Sequence, residues 1–375
     1  MSLLIVALML QVNVALPSGK RNSLSIAESS KVGDLKRLAQ KSFEQGFLRL
    51  VTAEGHTLAD PNQFLQAAGL KEGDLTAIVQ QAKMAATDRA FAMWCYGGDR
   101  IVTWGDRNSG GDSSEVQDQL RNVEQIQAAW GAFAAILADG SVVAWGNPLY
   151  GGDSSAVQDQ LRNVQQVQAA DCAFAAILAD GSVVTWGDPH DGGDSSAVQD
   201  QLRNVQRVHA TYLAFAAVLA DGSVVTWGNP DLGGDSSAVQ DQLRNVQQVH
   251  ATGLAFAAIL ADGSVVTWGR PEDGGDSSAV QDQLRNVQQV HATGRAFAAI
   301  LADGSVVTWG DPDDGGDSSA VQDRVRNVQQ IHATSWGAFA AILADGSVVT
   351  SWLFLHQVRQ DINPKVTSSA TRYKT

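Results

Sequence analysis

Two periodicities of apolar and polar residues divide the chain. Near the start, alternating segments at Gln11–Leu16 and Ser23–Ala27 flank a Pro-Ser-Gly-Lys turn, which is typical of a β-hairpin. The stretch KVGDLKRLAQKSF then carries apolar residues at helical spacing. Strand-like segments follow at Phe47–Thr52 and Leu75–Val79. The predicted order is strand, strand, helix, strand, short extended element, strand.

From residue 88 onward one pattern returns every 41 residues. Each unit reads GGDSSAVQDQLRNVQQVHAT, two variable residues, AFAAILADGSVVTWG and a short variable stretch. The period is marked by Trp-Gly pairs at Trp104, Trp145, Trp186, Trp227, Trp268 and Trp309. Four short apolar or alternating segments, the last of them SSAVQDQL, predict four strands per unit, as in a propeller blade. A one-dimensional β-solenoid is the alternative, since it also repeats strands and turns.

The two ends of the repeat are irregular. The first hairpin, AFAMWCYGGDRIVTWG, lacks recognisable upstream strands, and the last unit ends in VVTSWLFLHQ without the Trp-Gly pair. An open ring would leave unpaired strand edges. We therefore expect Leu353–Ser369 to pair with the first hairpin and close the ring.

Charge is unevenly distributed along the chain. Residues up to 87 carry 9 Lys and Arg against 7 Asp and Glu, whereas the remainder carries 17 against 33. This acidic remainder disfavours direct binding of nucleic acid, because it repels the phosphate backbone. Two cysteines cannot build a disulfide framework, so a reducing compartment, cytoplasmic or nuclear, is expected.

The apolar start, MSLLIVALML, invites interpretation as a signal peptide. It lacks a basic flank and a small-residue cleavage site. Gln11, Asn13 and Pro17 interrupt the apolar run well short of a membrane span, so no membrane association is expected. Met9 is a second candidate for the initiator.

The first region, read with TAEGHTLADPNQFLQAAGLKEGDLTAIVQ, resembles the ubiquitin-like β-grasp family. The resemblance covers about seventy residues and is carried by Gly19, the Thr57-Leu58-Ala59-Asp60 segment and the Gly73-Asp74 turn. After Val79 the chain continues QQAKMAAT instead of ending in Gly-Gly, so the resemblance implies a docking module that is not conjugated.

The hairpin with its Asp-Gly-x-Val-x-x-Trp-Gly ending resembles the regulator-of-chromosome-condensation repeat, whose propellers usually have seven blades. The hairpin occurs seven times, but the period is shorter than in the family, so loops that carry function there are trimmed. The expected fold class is an N-terminal α+β ubiquitin-like β-grasp domain followed by an all-β propeller of seven blades. The expected domains are a ubiquitin-like domain at 10–82, a linker at 83–87, the propeller at 88–369 and a tail at 370–375.

Positions that differ between units fall in two places, before Ala-Phe and after Trp-Gly. In a four-stranded antiparallel blade both places are loops at one end, so we expect one variable face that binds a protein partner. The candidate residues are Trp130, Asp171, Tyr212, Leu213, Leu254, Arg295, Trp336, Tyr150, His190, Leu232, Glu272 and Asp313. Aromatic and arginine side chains are favoured anchors of interfaces. The competing interpretation is that these loops simply tolerate change.

Histidine recurs at one position of four successive units, at His209, His250, His291 and His332. Equivalent positions in neighbouring blades are too far apart for one tetrahedral metal site, so we expect pore-lining histidines and no metal or cofactor. No nucleophile with a base and no phosphate-binding glycine loop is recognisable, so no enzymatic activity is expected.

The function expected from the sequence is that of a monomeric scaffold. The propeller would bind a protein partner, and the first domain would dock to ubiquitin-pathway machinery such as a ligase or the proteasome. Relatives of this propeller occur in HECT-type (HERC-like) ubiquitin ligases, but the catalytic lobe is missing here. The alternatives are guanine-nucleotide exchange on a small GTPase, which the founding family member performs, and a recently amplified repeat without a settled partner.

Overall fold

The computed structural model describes residues 9–45, 47–70, 73–79, 81–95, 101–335 and 337–351. The first region forms a mixed four-stranded sheet with one helix. Its elements are β1 (Met9–Ala15), β2 (Arg21–Ala27), α1 (Val32–Phe43), β3 (Leu48–Thr52) and β4 (Gly73–Val79). The sheet order is β2-β1-β4-β3, with β1 and β4 parallel and the other pairs antiparallel.

The helix covers one face of this sheet because its apolar residues share one side. Val32, Leu35, Ala39 and Phe43 are buried, as their helical spacing predicts. They pack against alternate residues of the strands, such as Leu50, in one hydrophobic cluster. Neither α1 nor any other described helix has the length and hydropathy needed to span a membrane.

The second region consists of seven three-stranded antiparallel sheets within the described residues, one per unit. The strands of units 1 to 4 are Ala82–Ala86, Ala90–Cys95 and Val102–Gly105; Val123–Ala128, Ala132–Leu137 and Val142–Gly146; Val164–Ala169, Ala173–Leu178 and Val183–Gly187; Val205–Ala210, Ala214–Leu219 and Val224–Gly228. Those of units 5 to 7 are Val246–Ala251, Ala255–Leu260 and Val265–Gly269; Val287–Ala292, Ala296–Leu301 and Val306–Gly310; Val328–Ala333, Phe339–Leu343 and Val348–Ser351. First strands of successive units contact one another. The arrangement is consistent with a propeller of about seven blades.

The predicted fourth strand does not form. The segment SSAVQDQL is instead a series of turns, with short 3₁₀ helices at Ser155–Val157 and Ser319–Val321. Side chains replace the strand ladder: the Ser154 hydroxyl donates to Gln158 Oε1 at 3.0 Å, and Gln158 Nε2 donates to the Val142 carbonyl at 2.9 Å. Polar residues that bond locally in this way compete with strand pairing.

The expectation that the first hairpin lacks an upstream strand is wrong. Ala82–Ala86 pairs with Ala90–Cys95, with Ala86 opposite Phe91 as Ala128 is opposite Phe133, but without the β-bulge of the other first strands. Residues 83–86 of the predicted linker 83–87 therefore belong to the first sheet. The sequence did not indicate this strand because Gln81 and Met84 stand where the other first strands have two spaced Val or Ile residues.

Units 2 to 6 are each stabilised by burial of the middle strand and by an aromatic pair. Phe133 and Trp145 stack across neighbouring strands with ring centroids 5.1 Å apart, and the pair recurs in units 3 to 6. The Trp145 indole Nε1 donates to the carbonyl of Gly110 in the preceding unit at 3.0 Å. A buried indole N–H needs such an acceptor. Successive units are thus joined by the same residues that form each core.

Candidate partner-binding surface

The two variable places of each unit lie together in space. The loop between the first and middle strands precedes Ala-Phe, and a single 3₁₀ turn follows Trp-Gly. Hydrogen bonds join them: the hydroxyls of Thr211, Thr252 and Thr293 donate to the carbonyls of residues 232, 273 and 314 at 3.0–3.2 Å. Both variable places therefore occupy the same end of each unit, here called the variable end.

The first variable residues of neighbouring units are linked by a backbone ladder. The N–H of Trp130 donates to the Asp171 carbonyl at 2.9 Å, and that of Asp171 donates to the Tyr212 carbonyl at 2.7 Å. The ladder continues from Tyr212 to Gly253 and from Gly253 to Gly294, both at 2.8 Å. These residues consequently follow one another from unit to unit at short, regular spacing.

A central depression of about 360 Å³ lies where the first strands end. It is lined by residues of units 2 to 7, most of them Ala, Thr, Gly and Ser, together with Asp171 and Tyr212. Residues of six successive units thus converge on one point of the variable end. The Tyr212 ring lies over Gly253, where it leaves no room for a side chain.

Larger grooves lie away from this depression. A groove of about 860 Å³ runs between the 3₁₀ turns of units 1 and 2, and an equivalent groove of about 620 Å³ separates units 4 and 5. Because the groove recurs where units abut, it is a consequence of the repeat. The central depression is instead formed jointly and has variable side chains at its wall.

Carboxylates dominate the electrostatics of the variable end. Burial, together with the Asp191 charge, raises the pKa of Asp171 from 3.8 to about 6. Burial and the charges of Asp171 and Asp314 raise the pKa of Tyr212. A positive ligand group would therefore be favoured beside Asp171.

Arg295, a predicted anchor, is engaged in an ion-pair cluster between units 5 and 6. Its Nε lies 2.6 Å from Oδ1 of the fully buried Asp273, and its second nitrogen lies 2.6 Å from Asp311. Arg270 Nε lies 3.2 Å from the other oxygen of Asp273. These contacts give Arg295 a role in joining units.

The remaining predicted residues divide by exposure. Tyr212, which lines the depression, exposes 44% of its surface, and Trp130, whose N–H donates to the Asp171 carbonyl, exposes 51%. Tyr150, Leu213, Leu232 and Leu254 are half-buried among neighbouring loops, and His190, Glu272 and Asp313 are exposed on the 3₁₀ turns. Trp336 lies outside the described residues, as does the predicted closing segment Leu353–Ser369.

Sequence reasoning missed two features of the variable end. Leu149, next to Tyr150, is its most exposed large apolar side chain. The alanines and threonines that line the depression recur in most units, so differences between units do not reveal them. The available signal was their position, immediately after each first strand.

The recurrent histidines lie on the first strands, next to the residues that line the depression. Burial lowers the pKa of His209 and His250 from 6.5 to about 4. Arg207 adds to the shift of His209, while His209 and His291 add to that of His250. In the described part of the chain, no three histidine, cysteine or acidic side chains are placed to hold a metal ion.

No protein-family model matches the chain, and no curated protein matches it. Among solved structures, human WBSCR16 has a TM-score of 0.39 and 18% identity, covering 62% of this chain and 77% of its own. Yeast RCC1 (Prp20), solved bound to Kap60, has a TM-score of 0.39 and 13% identity, covering 68% of this chain and 73% of its own. Both are RCC1-like propellers.

For the first region, a ubiquitin-like domain from Arabidopsis thaliana has a TM-score of 0.19 and 20% identity, covering 21% of this chain and 85% of its own. The strand pairing within this chain, rather than these similarities, is the basis for the fold described above.

Proposed function

We propose that this protein is a non-catalytic binding protein whose central depression accepts a basic segment of a protein partner. The observation that carries the proposal is the composition of the depression. It is lined by the exposed Tyr212 and by Asp171, a partly buried carboxylate, and the backbone N–H of the exposed Trp130 donates to the Asp171 carbonyl.

A lysine or arginine side chain satisfies each of these features. Its charge compensates Asp171, whose carboxylate is disfavoured by burial and by Asp191. Its position beside Tyr212 and Trp130 allows cation–π contact, worth on the order of 0.5–2 kcal/mol. The acidic excess of the repeat region attracts basic partners at longer range and accelerates their association.

The test is affinity capture from cell extract with the full chain beside a Trp130→Ala/Tyr212→Ala variant. We expect the chain to retain specific partners that elute with salt and that the variant loses. Leu149→Ala is the matched control, because Leu149 is exposed at the same end but does not line the depression. Retention by the control and loss by the double variant would support the proposal.

Equal capture by all three proteins would contradict it, because the depression would then make no contribution. The alternative function, guanine-nucleotide exchange, is tested by measuring nucleotide release from small GTPases in the presence of the full chain. Acceleration of nucleotide release from a small GTPase would support that alternative instead.

The first region is proposed to dock the protein to ubiquitin-pathway machinery in the cytoplasm or nucleus. Support comes from the strand order, the parallel β1–β4 pair and the helix packed on one face. Conjugation through this domain is not part of the proposal, because Ala82–Ala86 follows β4 and begins the repeat.

The face of this sheet opposite α1 is the proposed contact surface. Val51 and Ile78 alternate with buried neighbours and lie on the face away from the helix. The full chain should bind purified proteasome, and Val51→Asp/Ile78→Asp should weaken that binding at least about tenfold, since burying two carboxylates is costly. Gln66→Asp, at an exposed position outside the sheet, should not. Absence of binding, or equal binding by both variants, would contradict the docking role.

A further inference from the structure

The first sheet carries the same aromatic pair as the interior units but leaves it uncovered. Phe91 and Trp104 stack with ring centroids 5.4 Å apart, yet they are 40% and 41% exposed. Their equivalents in unit 2, Phe133 and Trp145, are 0% and 4% exposed. The difference in exposure therefore arises from the surroundings of the pair.

The cover in interior units is the glycine turn of the preceding unit. A Cβ on Gly110 would lie 2.6 Å from the Phe133 ring, so the turn rests directly on the aromatic pair. The same contact and the same indole hydrogen bond to the preceding turn recur in units 3 to 6. Gly315 of unit 6 contacts Phe339 of unit 7 in the same way. Each of these Gly-Gly turns thus packs on the aromatic residues of the unit that follows it.

The sequence after the third strand of unit 7 lacks the glycines that form this turn in units 1 to 6. Ser351 pairs with Phe339 as Trp309 pairs with Phe297, so Trp352 stands where unit 6 has Gly310. Gly310 has φ +104° and no room for a Cβ, which would lie 2.6 Å from the Arg295 carbonyl oxygen. A tryptophan cannot adopt that turn without strain. The sequence after residue 351 therefore differs from the turn that covers the following unit elsewhere in the repeat.

Chemistry and position both favour this sequence as the cover. The stretch Trp352-Leu353-Phe354-Leu355 is apolar, and it occupies the place in the repeat from which every other unit covers the next one. On unit 1, the exposed side chains of Met84, Phe91, Val102 and Trp104 all lie on one face of the sheet, here called the open face.

We propose that residues 352–355 pack on the open face and thereby seal the junction between units 7 and 1. The four open-face side chains expose roughly 400 Å², about half of the ~800 Å² per partner that a stable association buries. A second copy of the chain would therefore gain too little area to cover this face stably. A segment of the same chain needs less area, because its tether keeps its effective concentration high.

The test measures how readily a thiol on the open face reacts. Val102→Cys is placed in a Cys95→Ser/Cys172→Ser background and treated with a maleimide. Val348→Cys in the same background is the reference, because Val348 is similarly exposed on a third strand, at 56% against 53% for Val102. We expect the Val102→Cys thiol to react at least about tenfold more slowly, because covered sites react only when they open locally.

A second comparison identifies the cover. Leu353→Asp/Phe354→Asp/Leu355→Asp should restore rapid labelling of the Val102→Cys thiol, whereas Thr371→Asp/Thr375→Asp, at the far end of the tail, should not. Equal reactivity of the two thiols in the chain with its own tail would overturn the proposal even if the triple variant failed to fold. Slow labelling of the Val102→Cys thiol that persists in the triple variant would also overturn the proposal. Slow labelling that depends on protein concentration would overturn it too, because a second copy of the chain would then be the cover.

Discussion

Units 1 and 4 contain the same aromatic pair in different surroundings. Phe215 and Trp227 are 0% and 5% exposed and receive the glycine turn of unit 3, whereas Phe91 and Trp104 are 40% and 41% exposed. Pairing within the sheet is alike, with each phenylalanine opposite its tryptophan. The neighbouring unit therefore decides whether the aromatic pair is buried. Equivalent positions in different units therefore serve as controls for one another.

Loss of an aromatic ring from an interior unit should destabilise the protein most. Phe215→Ala should lower the free energy of unfolding by about 3–5 kcal/mol, because it leaves a cavity in a fully packed core. Phe91→Ala, measured in the Leu353→Asp/Phe354→Asp/Leu355→Asp background, should cost about 1 kcal/mol or less, because an exposed ring forfeits less. Equilibrium urea unfolding gives both values. Similar costs would mean that the neighbouring unit does not decide the contribution of the pair.

The next effect concerns the junction between units 5 and 6. Arg295→Leu should destabilise the protein by about 2–4 kcal/mol, because Asp273 is fully buried and loses its closest cation. Arg203→Leu is the control, since its pair with Asp200 is exposed and should contribute less than about 1 kcal/mol. Urea unfolding again measures the difference.

The junction between units 4 and 5 suggests a second substitution that should restore the stability lost in Arg295→Leu. Leu254 and Leu232 stand there at the positions of Arg295 and Asp273. Arg295→Leu/Asp273→Leu should therefore recover most of the stability lost by Arg295→Leu alone. A double variant as unstable as the single one would show that the ion pair is not interchangeable with an apolar contact.

A smaller effect, the pH dependence of stability, is expected from units 4 and 5, which have histidine where units 2 and 3 have glutamine. The pKa of His209 and His250 is lowered to about 4, below the usual 6.5, so protons bind the unfolded chain preferentially. Stability from these groups is complete above pH 6.5 and falls as the pH decreases toward 4, by a few kcal/mol at most. Urea midpoints at pH 7.5 and pH 5 should show this loss.

Glutamine provides the matched replacement, since Gln127 and Gln168 occupy the same strand position in units 2 and 3. His209→Gln/His250→Gln should reduce the difference between the two midpoints. An unchanged difference would place the pH dependence in other groups.

The smallest effect on stability is expected at the depression. Asp171→Asn removes a carboxylate whose pKa is raised to about 6 by burial and Asp191. A raised carboxyl pKa means that the folded state binds the proton preferentially, so the charged form is destabilising above pH 6. The variant should be equally or slightly more stable than the parent at pH 7.5, as measured by thermal unfolding. A clear loss of stability would indicate a structural role that the contacts do not show.

The fold was largely predictable because the units repeat. The period, the hairpins and the core tryptophans of units 2 to 6 follow from the positions of apolar residues and Asp-Gly turns. The absent fourth strand was not predictable by the same means, since Ser154 and Gln158 replace a strand ladder with side-chain hydrogen bonds. The first strand of unit 1 was missed because Gln81 replaces the first of the two spaced apolar residues that mark the other first strands.

The co-location of the two variable loops was predictable, but the contacts around them were not. Variation between units indicated one end of each unit, and both variable loops lie there. It did not indicate that Arg295 is held by Asp273, because the two residues lie in different units. Nor did it indicate the depression, whose wall includes alanines and threonines that recur in most units.

Binding of the full chain to an array of short peptides that vary in charge tests whether the depression accepts a basic segment. We expect enrichment of peptides with lysine or arginine, loss of that enrichment in Asp171→Asn and Trp130→Ala/Tyr212→Ala, and its retention in Leu149→Ala. Preference for acidic or uncharged peptides, or a basic preference that survives both substitutions at the depression, would contradict it.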